Sequence, residues 1–215
     1  MLSIVIPAYN EQDRLPQTIR RIQEYFKHRE YAIELIVVDD GSMDNMLRTI
    51  PPGVKVIQNG INRGKGYSVR KGVLAAGGDY ILFSDADLST PIEEIEKLKL
   101  VIDSDYDIAI GSRAVRGADV KVHQPFFREL MGKVFNLLVR LLVVRGISDT
   151  QCGFKAFRKD AAKEIFSRQK LNGFGFDVEV LYLAKKLGYK IKETPVTWIN
   201  SPSSKVNVLS DPLKM

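Results

Sequence analysis

Two aspartates stand two positions apart in the segment LFSDADLSTP, at Asp85 and Asp87, directly after a run of apolar residues. Carboxylates at the end of a buried run are costly to desolvate unless a cation meets them. With one small residue between them, both can face outward and offer hard oxygen ligands to a divalent ion. Mg2+ or Mn2+ suits such a pair, because these ions take few carboxylates and complete their shell with water and substrate phosphates. The same residues also suit a turn in which aspartates cap backbone amides.

A second acidic pair, Asp39 and Asp40, closes the apolar run IELIVV and precedes Gly41 and Ser42. Such a strand end can hold a carboxylate against a nucleobase or ribose, with Gly41 permitting a sharp turn. Alternatively, Ser42 or Asp44 caps the segment that follows. The stretch NRGKGYSVRKG, residues 62–72, sets glycines and basic residues ahead of a helix, where a phosphate can sit. It is not a phosphate loop, since Lys65 lacks a following Ser or Thr, and Val69 breaks the G-x-G-x-x-G pattern. An ATPase or a nicotinamide dehydrogenase is thereby disfavoured. A solvated basic loop is the competing reading.

The elements that must carry these residues follow from periodicity. LSIVIP reads as a buried strand ended by Pro7, and Leu15, Ile19, Ile22 and Phe26 recur at helical spacing after Pro16. IELIVVDD, VKVIQN, DYILFSD and YDIAIGS read as further strands. GYSVRKGVLAAGG, closed by Gly77 and Gly78, and IEEIEKLKLVI read as helices. Strands alternating with helices over residues 1–112 predict a mostly parallel sheet covered on both faces. In such sheets ligands gather beyond the carboxyl ends of the strands. Asn10-Glu11, Asp39 to Ser42, Asp85 to Asp87 and Gly111-Ser112-Arg113 all fall there. Beyond residue 125, FFRELMGKVFNLLVRLLVVR reads as a lopsided helix whose polar stripe is Glu129, Lys133, Asn136 and Arg140. DVEVLYLAKKLG reads as another helix, KIKETPVTW as a strand and NSPSSKVNVLSDPLKM as a loose tail.

At 215 residues the chain is long enough for a sizeable core, and 45% hydrophobic with 27% charged residues is ordinary for a globular protein. A formal charge of +6 favours anionic partners, although it also serves solubility. The basic residues are scattered rather than interleaved with aromatics, which disfavours a nucleic-acid-binding module. The single Cys152 excludes an internal disulfide or a cysteine-rich zinc site and makes a reducing compartment the default. The start MLSIVIPAYN is too short for a secretory signal and lacks its basic residues, and no stretch reaches the length of a spanning helix.

In this order, IVIPAYNE, VVDDGS, NRGKGYSVRKG, SDADLSTP, GSR, DTQCGFKAF and GFDVEVLYLA resemble the family 2 glycosyltransferases. The likeness is greatest to the dolichyl-phosphate glucose and mannose synthase branch and covers nearly all of the chain. The resemblance implies an α/β GT-A fold: a Rossmann-like, mostly parallel sheet flanked by helices. It implies a single catalytic domain, with a nucleotide-sugar-binding half at 1–112 and a smaller acceptor-binding half at 113–215. Pro7, Tyr9 and Glu11 would line the base and ribose pocket, Asp39 would contact the base and Asp40 would support the same loop. Arg63 and Lys65 would neighbour the nucleotide. Asp85 and Asp87 would serve a Mg2+ or Mn2+ ion bridging the donor diphosphate.

The implied reaction moves a hexose, with inversion, from a nucleotide sugar to dolichyl or polyprenyl phosphate. Mannose-type members often carry Gln two residues after the second Asp, whereas Ser89 stands here. UDP-glucose is therefore the expected donor, with GDP-mannose next. Arg113, Arg128 and Lys205 are expected to hold the acceptor phosphate and the leaving diphosphate. Asp149, Gln151, Asp177 and Glu179 resemble acceptor-side residues that orient sugar hydroxyls. Cys152 is expected to be packed and inert. Helix 126–145 is expected at a membrane surface, on the cytoplasmic face, with the chain peripheral or held by an anchor outside it. Two other readings stay open: transfer to a sugar hydroxyl, which would need one of these acids as base, and a non-catalytic nucleotide-sugar-binding protein.

Overall fold

The computed structural model describes residues 1–122 and 144–199. His123, Arg128, Lys205 and the predicted helix at 126–145, apart from its last two residues, lie outside the described residues. Among the described residues the strands are β1 (Leu2–Ala8), β2 (Ile33–Asp39), β3 (Lys55–Gln58), β4 (Tyr80–Ser84), β5 (Ile108–Ser112), β6 (Asp119–Val122), β7 (Phe154–Arg158), β8 (Ile191–Pro195) and β9 (Thr197–Ile199). The α-helices are α1 (Leu15–Phe26), α2 (Lys65–Ala75), α3 (Ile95–Asp103), α4 (Lys159–Arg168) and α5 (Phe176–Lys186).

Seven strands form one sheet in the order β3-β2-β1-β4-β7-β5-β8, parallel except for β7, which runs antiparallel between β4 and β5. The chain winds outward from β1 through β2 to β3, then returns to place β4 on the other side of β1. That reversal makes the carboxyl ends of β1 and β4 a switch point, where open α/β sheets leave a crevice for ligands.

Alternation along β1 explains the two-sided core. Ile4 and Ile6 pack with Leu15, Ile19, Ile22 and Leu98 on one face, and Val5 packs with Val69, Val73 and Phe83 on the other. The helix stripe expected at Leu15, Ile19, Ile22 and Phe26 is buried throughout. Across the second face, Phe83 meets Phe176 edge to face with ring centroids 5.6 Å apart, an arrangement worth about 1 kcal/mol beyond area burial.

Several details differ from the sequence expectations. β1 continues past Pro7 to Ala8, because pairing with β4 ends at Val5 while pairing with β2 continues. A residue without an N–H is tolerated where only one side of the strand is laddered. α2 ends at Ala75 without a left-handed glycine. Instead Lys163 of α4 donates to the carbonyls of Val73, Leu74 and Ala76 at 2.9, 2.6 and 2.7 Å, a cation satisfying orphan carbonyls at a helix C-terminus. KIKETPVTW is not one strand. Val196 separates β8, which pairs with β5, from β9, which pairs with β6 in a separate two-stranded ribbon. β7 lies between β4 and β5, so the sheet draws strands from both sides of residue 112.

Candidate active site

The rim at the carboxyl ends of β1 and β2 is built by side chains that accept backbone amides. Asn10, with φ of 54°, takes an amide of the neighbouring loop: its Oδ1 accepts from Met43 N at 2.8 Å, while its own N–H donates to Ser42 Oγ at 2.9 Å. Gly41 turns with φ of 78°, and a Cβ there would stand 2.5 Å from the carbonyl carbon of Ile61. Asp39 is buried and accepts from Ser42 N at 2.9 Å. Asp44 accepts from Met46 N at 3.1 Å and from Gln12 N at 3.0 Å, but it precedes the N-cap, Asn45, of the short 3-10 turn Met46–Thr49, so neither it nor Ser42 caps that segment. The Glu11 carboxylate, expected in the nucleotide pocket, receives both Nε and Nη2 of Arg14 at 2.6 Å. That hydrogen bond, with the charges of Glu11, Asp87 and Asp85, raises the Arg14 pKa against the effect of burial. Pro7 is the penultimate residue of β1 and Tyr9 follows its end, while Arg14 is the N-cap of α1.

Asp40 organises the basic loop. It is buried and accepts from Asn59 Nδ2 at 2.8 Å, from Arg63 N at 2.9 Å and from Gly64 N at 2.8 Å. Gly64 holds φ of 99°, and a Cβ there would stand 2.4 Å from the carbonyl oxygen of Asn172. The loop is therefore pressed against residues 171–173, and Tyr67 N donates to Asn172 O at 3.1 Å. The outcome is a fixed backbone at Lys65, the first residue of α2. Arg63 reaches over the Tyr67 ring, 5.3 Å from its centroid.

The cation that meets Asp85 is Lys65. Its Nζ lies 2.6 Å from Asp85 Oδ1, and the two side chains retain 21% and 34% of their exposure, so the pair faces the crevice. Burial pulls the Lys65 pKa down, but Asp85, Asp177 and Asp87 outweigh it and hold the ammonium charged. Asp87 accepts from Ser89 N at 3.0 Å through one oxygen, which is the turn geometry of the bland alternative. Its other oxygen is not used in that turn. Asp85 N donates to Gly153 O at 3.1 Å, and Thr18 Oγ1 donates to Ala86 O at 2.6 Å. These bonds fix the acidic loop to Gly153, just before β7, and to α1.

On the far side of the rim, Arg113 makes a bidentate pair with Asp149, Nε to Oδ2 at 2.7 Å and Nη2 to Oδ1 at 2.9 Å, and its own N–H donates to Oδ2 at 2.9 Å. Burial raises the Asp149 pKa, yet the Arg113 charge and hydrogen bonds prevail and hold it below the usual carboxylate value. The arginine is correspondingly raised, with Asp85 contributing. Glu193 of β8 accepts the amides of Ser148 and Asp149 at 2.8 and 3.0 Å. Gln151 N donates weakly to Asp149 at 3.3 Å.

The other acids expected on the acceptor side are engaged within the protein. Asp177 is buried against Lys155, which also donates to Cys152 O at 2.6 Å. Desolvation raises the Asp177 pKa despite Lys155 and Lys65. Glu179 accepts from Lys170 N at 2.9 Å and Leu171 N at 2.7 Å, pinning the loop that backs Lys65. Burial pushes the Cys152 thiol up to about 11, so the cysteine is packed and unreactive as expected.

Sequence reasoning missed Arg14, Lys155 and Gly153. Arg14 had one signal, its place a helical turn after Glu11. Gly153 had another, its position between an acidic motif and an apolar run. Among the described residues no group of three or more His, Cys, Asp or Glu side chains is placed to hold a metal. Asp85 and Asp87 still form a hard-oxygen pair of the kind Mg2+ and Mn2+ take, with the rest of an octahedral shell left to water and substrate phosphate.

A doubly wound sheet whose switch point carries paired acids faced by lysine and arginine is the architecture shared with glycosyltransferases of the GT-A fold. The glycosyl transferase family 2 model matches residues 3–166, and the chain belongs to that family of glycosyltransferases. The curated relatives include dolichyl-phosphate beta-glucosyltransferases from Dictyostelium discoideum, 33% identical with 100% of this chain and 71% of the relative covered, and from Homo sapiens, 37% identical with 95% and 69% covered. Among solved structures, glucosyl-3-phosphoglycerate synthase from Mycobacterium tuberculosis in complex with Mn2+, UDP-glucose and phosphoglyceric acid aligns with a TM-score of 0.69 at 20% identity, covering 94% of this chain and 72% of the other. A mannosyltransferase from Pyrobaculum calidifontis in complex with GDP-mannose and Mn2+ aligns with a TM-score of 0.60 at 18% identity, covering 95% and 57%. At such identities these neighbours establish the fold.

Proposed function

We propose that this glycosyltransferase moves glucose from UDP-glucose to a dolichyl-type polyprenyl phosphate, with inversion, using Mg2+ or Mn2+. The observation that carries the acceptor class is the engagement of the acceptor-side acids. Asp149 is held ionised by Arg113, Asp177 is buried on Lys155, and Glu179 binds two backbone amides. A hydroxyl acceptor needs a general base within reach of its proton. A phosphate monoester needs none, since its second pKa is about 6 and it is largely dianionic at neutral pH. The curated dolichyl-phosphate beta-glucosyltransferases, matched along the whole chain, support the same reading.

Asp85 and Asp87 are the residues to hold the divalent ion, which supplies charge stabilisation to the departing diphosphate. Asp39 is the residue to contact the base, with Pro7, Tyr9 and Glu11 lining the base and ribose pocket, and Arg63 and Lys65 flank the diphosphate. An oxygen of the acceptor phosphate attacks C1 of glucose as the C1–O bond to UDP breaks, and UDP leaves with the electron pair. Arg113, preset by Asp149, contributes fixed positive charge where two phosphate groups must approach. Arg128 and Lys205 are the further cations that the sequence offers to the same phosphates. No described helix is long and apolar enough to cross a membrane. The segment 126–145 is the element for meeting the lipid from the side, at a cytoplasmic leaflet.

The test is transfer from UDP-glucose and from GDP-mannose to short-chain dolichyl phosphate, with and without EDTA. Glucosyl transfer abolished by the chelator is expected. Transfer from GDP-mannose alone would overturn the donor assignment, and turnover indifferent to EDTA would overturn the metal.

A further inference from the structure

The ammonium of Lys65 lies on the same Asp85 carboxylate that the proposed metal would use, 2.6 Å from Oδ1. Two cations on one carboxylate repel strongly in a partly desolvated site. The arrival of a divalent ion therefore weakens the hold of Asp85 on the lysine and favours its departure. The surroundings fit such a departure. The backbone at Lys65 is fixed by Asp40 on one side and by residues 171–173 on the other. Its unbranched four-carbon stem is flexible by nature, and the side chain keeps 21% of its exposure. The rings of Phe83 and Phe174 lie 5.3 and 5.9 Å from the ammonium, and the charge of Asp177, pinned by Lys155, acts on it from beneath.

We propose that Lys65 is a placeholder cation that neutralises Asp85 in the free protein and, when metal and donor arrive together, passes to the donor diphosphate. The inference rests on the metal and donor assignment above and deepens it. Metal alone displaces Lys65 from Asp85 with no anion to receive the ammonium. Metal with a diphosphate gives the ammonium a new partner. The handover therefore makes metal and nucleotide bind with positive coupling, which by linkage is felt equally by both. It also disfavours loading of the free site by metal alone.

The experiment titrates Mn2+ into wild type and Lys65→Met by electron paramagnetic resonance, with and without UDP, and titrates UDP calorimetrically at saturating Mn2+. A hydrogen bond to a charged group has a net strength equivalent to roughly ten-fold in affinity. Lys65→Met is expected to bind Mn2+ alone about ten-fold more tightly, and UDP in the presence of Mn2+ about ten-fold less tightly. The opposite signs are the signature. Unchanged or weaker Mn2+ binding by Lys65→Met without nucleotide overturns the placeholder, and unchanged UDP affinity overturns the handover. Wild type that binds no Mn2+ even with UDP overturns the metal assignment itself, and the inference with it. Thermal melts confirm folding, and Lys65→Gln carries the same expectations should the Met variant not fold.

Discussion

Gly153 offers the sharpest perturbation of the acidic pair, because one methyl group separates it from a clash. A Cβ at this position would stand 1.9 Å from Asp85 Oδ2, 2.4 Å from Cγ and 2.8 Å from Oδ1. Gly153 does not use a left-handed φ, so Gly153→Ala is permitted by the backbone and acts only through that methyl. Relieving the overlap requires the Asp85 carboxylate to move by more than about an ångström, since carbon–oxygen contacts rarely fall much below 3 Å. The movement is local, one side-chain torsion with an off-rotamer cost of about 1 kcal/mol. It nevertheless takes the carboxylate away from Lys65 and from the ion it is to hold. Misplacing a catalytic group by about 1 Å costs roughly 10²-fold in rate, or about 2.7 kcal/mol in the barrier. Steady-state glucosyl transfer should show kcat/KM reduced about 10²-fold with the melting temperature lowered by only a few degrees. A Gly153→Ala protein with wild-type kcat/KM would refute the placement of Asp85 in the reaction. A collapse in stability would show that the position serves packing instead.

Lys155→Met leaves Asp177 buried without its cation, and should destabilise the fold by about 3–5 kcal/mol. Adding Asp177→Leu should recover most of that loss, as read by denaturant unfolding, and a double variant no better than the single would contradict the pairing. Asp149 is held below its ordinary pKa by Arg113, so the unfolded chain takes up this proton first as the pH falls. Stability from this pair is fully present above about pH 4 and is lost as the pH drops through the lower folded value. Asp149→Asn should be less stable at neutral pH and show a shallower acid limb in thermal melts, and an unchanged acid limb would contradict the assignment.

β1, β2, β4 and β5 were legible because parallel strands buried on both faces read as continuous apolar runs, and α1 because its buried residues keep helical spacing. The acids and glycines at the strand ends marked the rim for the same reason. β3, at the sheet edge, was legible as the run VKVIQN but is largely exposed, not buried. β7 was not legible. FKAFR carries Lys155 in its second position, and a lysine argues against a buried strand until its partner is known. That partner, Asp177, lies 22 residues further on, a pairing only the tertiary structure supplies. α4 went unread alongside it. Sequence placed Asp149, Asp177 and Glu179 near the acceptor but could not tell that Arg113, Lys155 and two backbone amides already occupy them. It placed Lys65 near the nucleotide without showing that it holds Asp85. The fold was thus visible through periodicity, while the charge state of the rim depends on contacts between distant segments.

The central claim is that the acidic pair ending β4 serves the donor diphosphate through a divalent ion, and Asp87→Ala tests it most directly. Calorimetric titration of UDP-glucose should show donor binding strengthened by Mn2+ in wild type and indifferent to Mn2+ in Asp87→Ala, with glucosyl transfer reduced by about 10²-fold or more. Wild-type affinity, Mn2+ response and turnover retained together in Asp87→Ala would contradict the account.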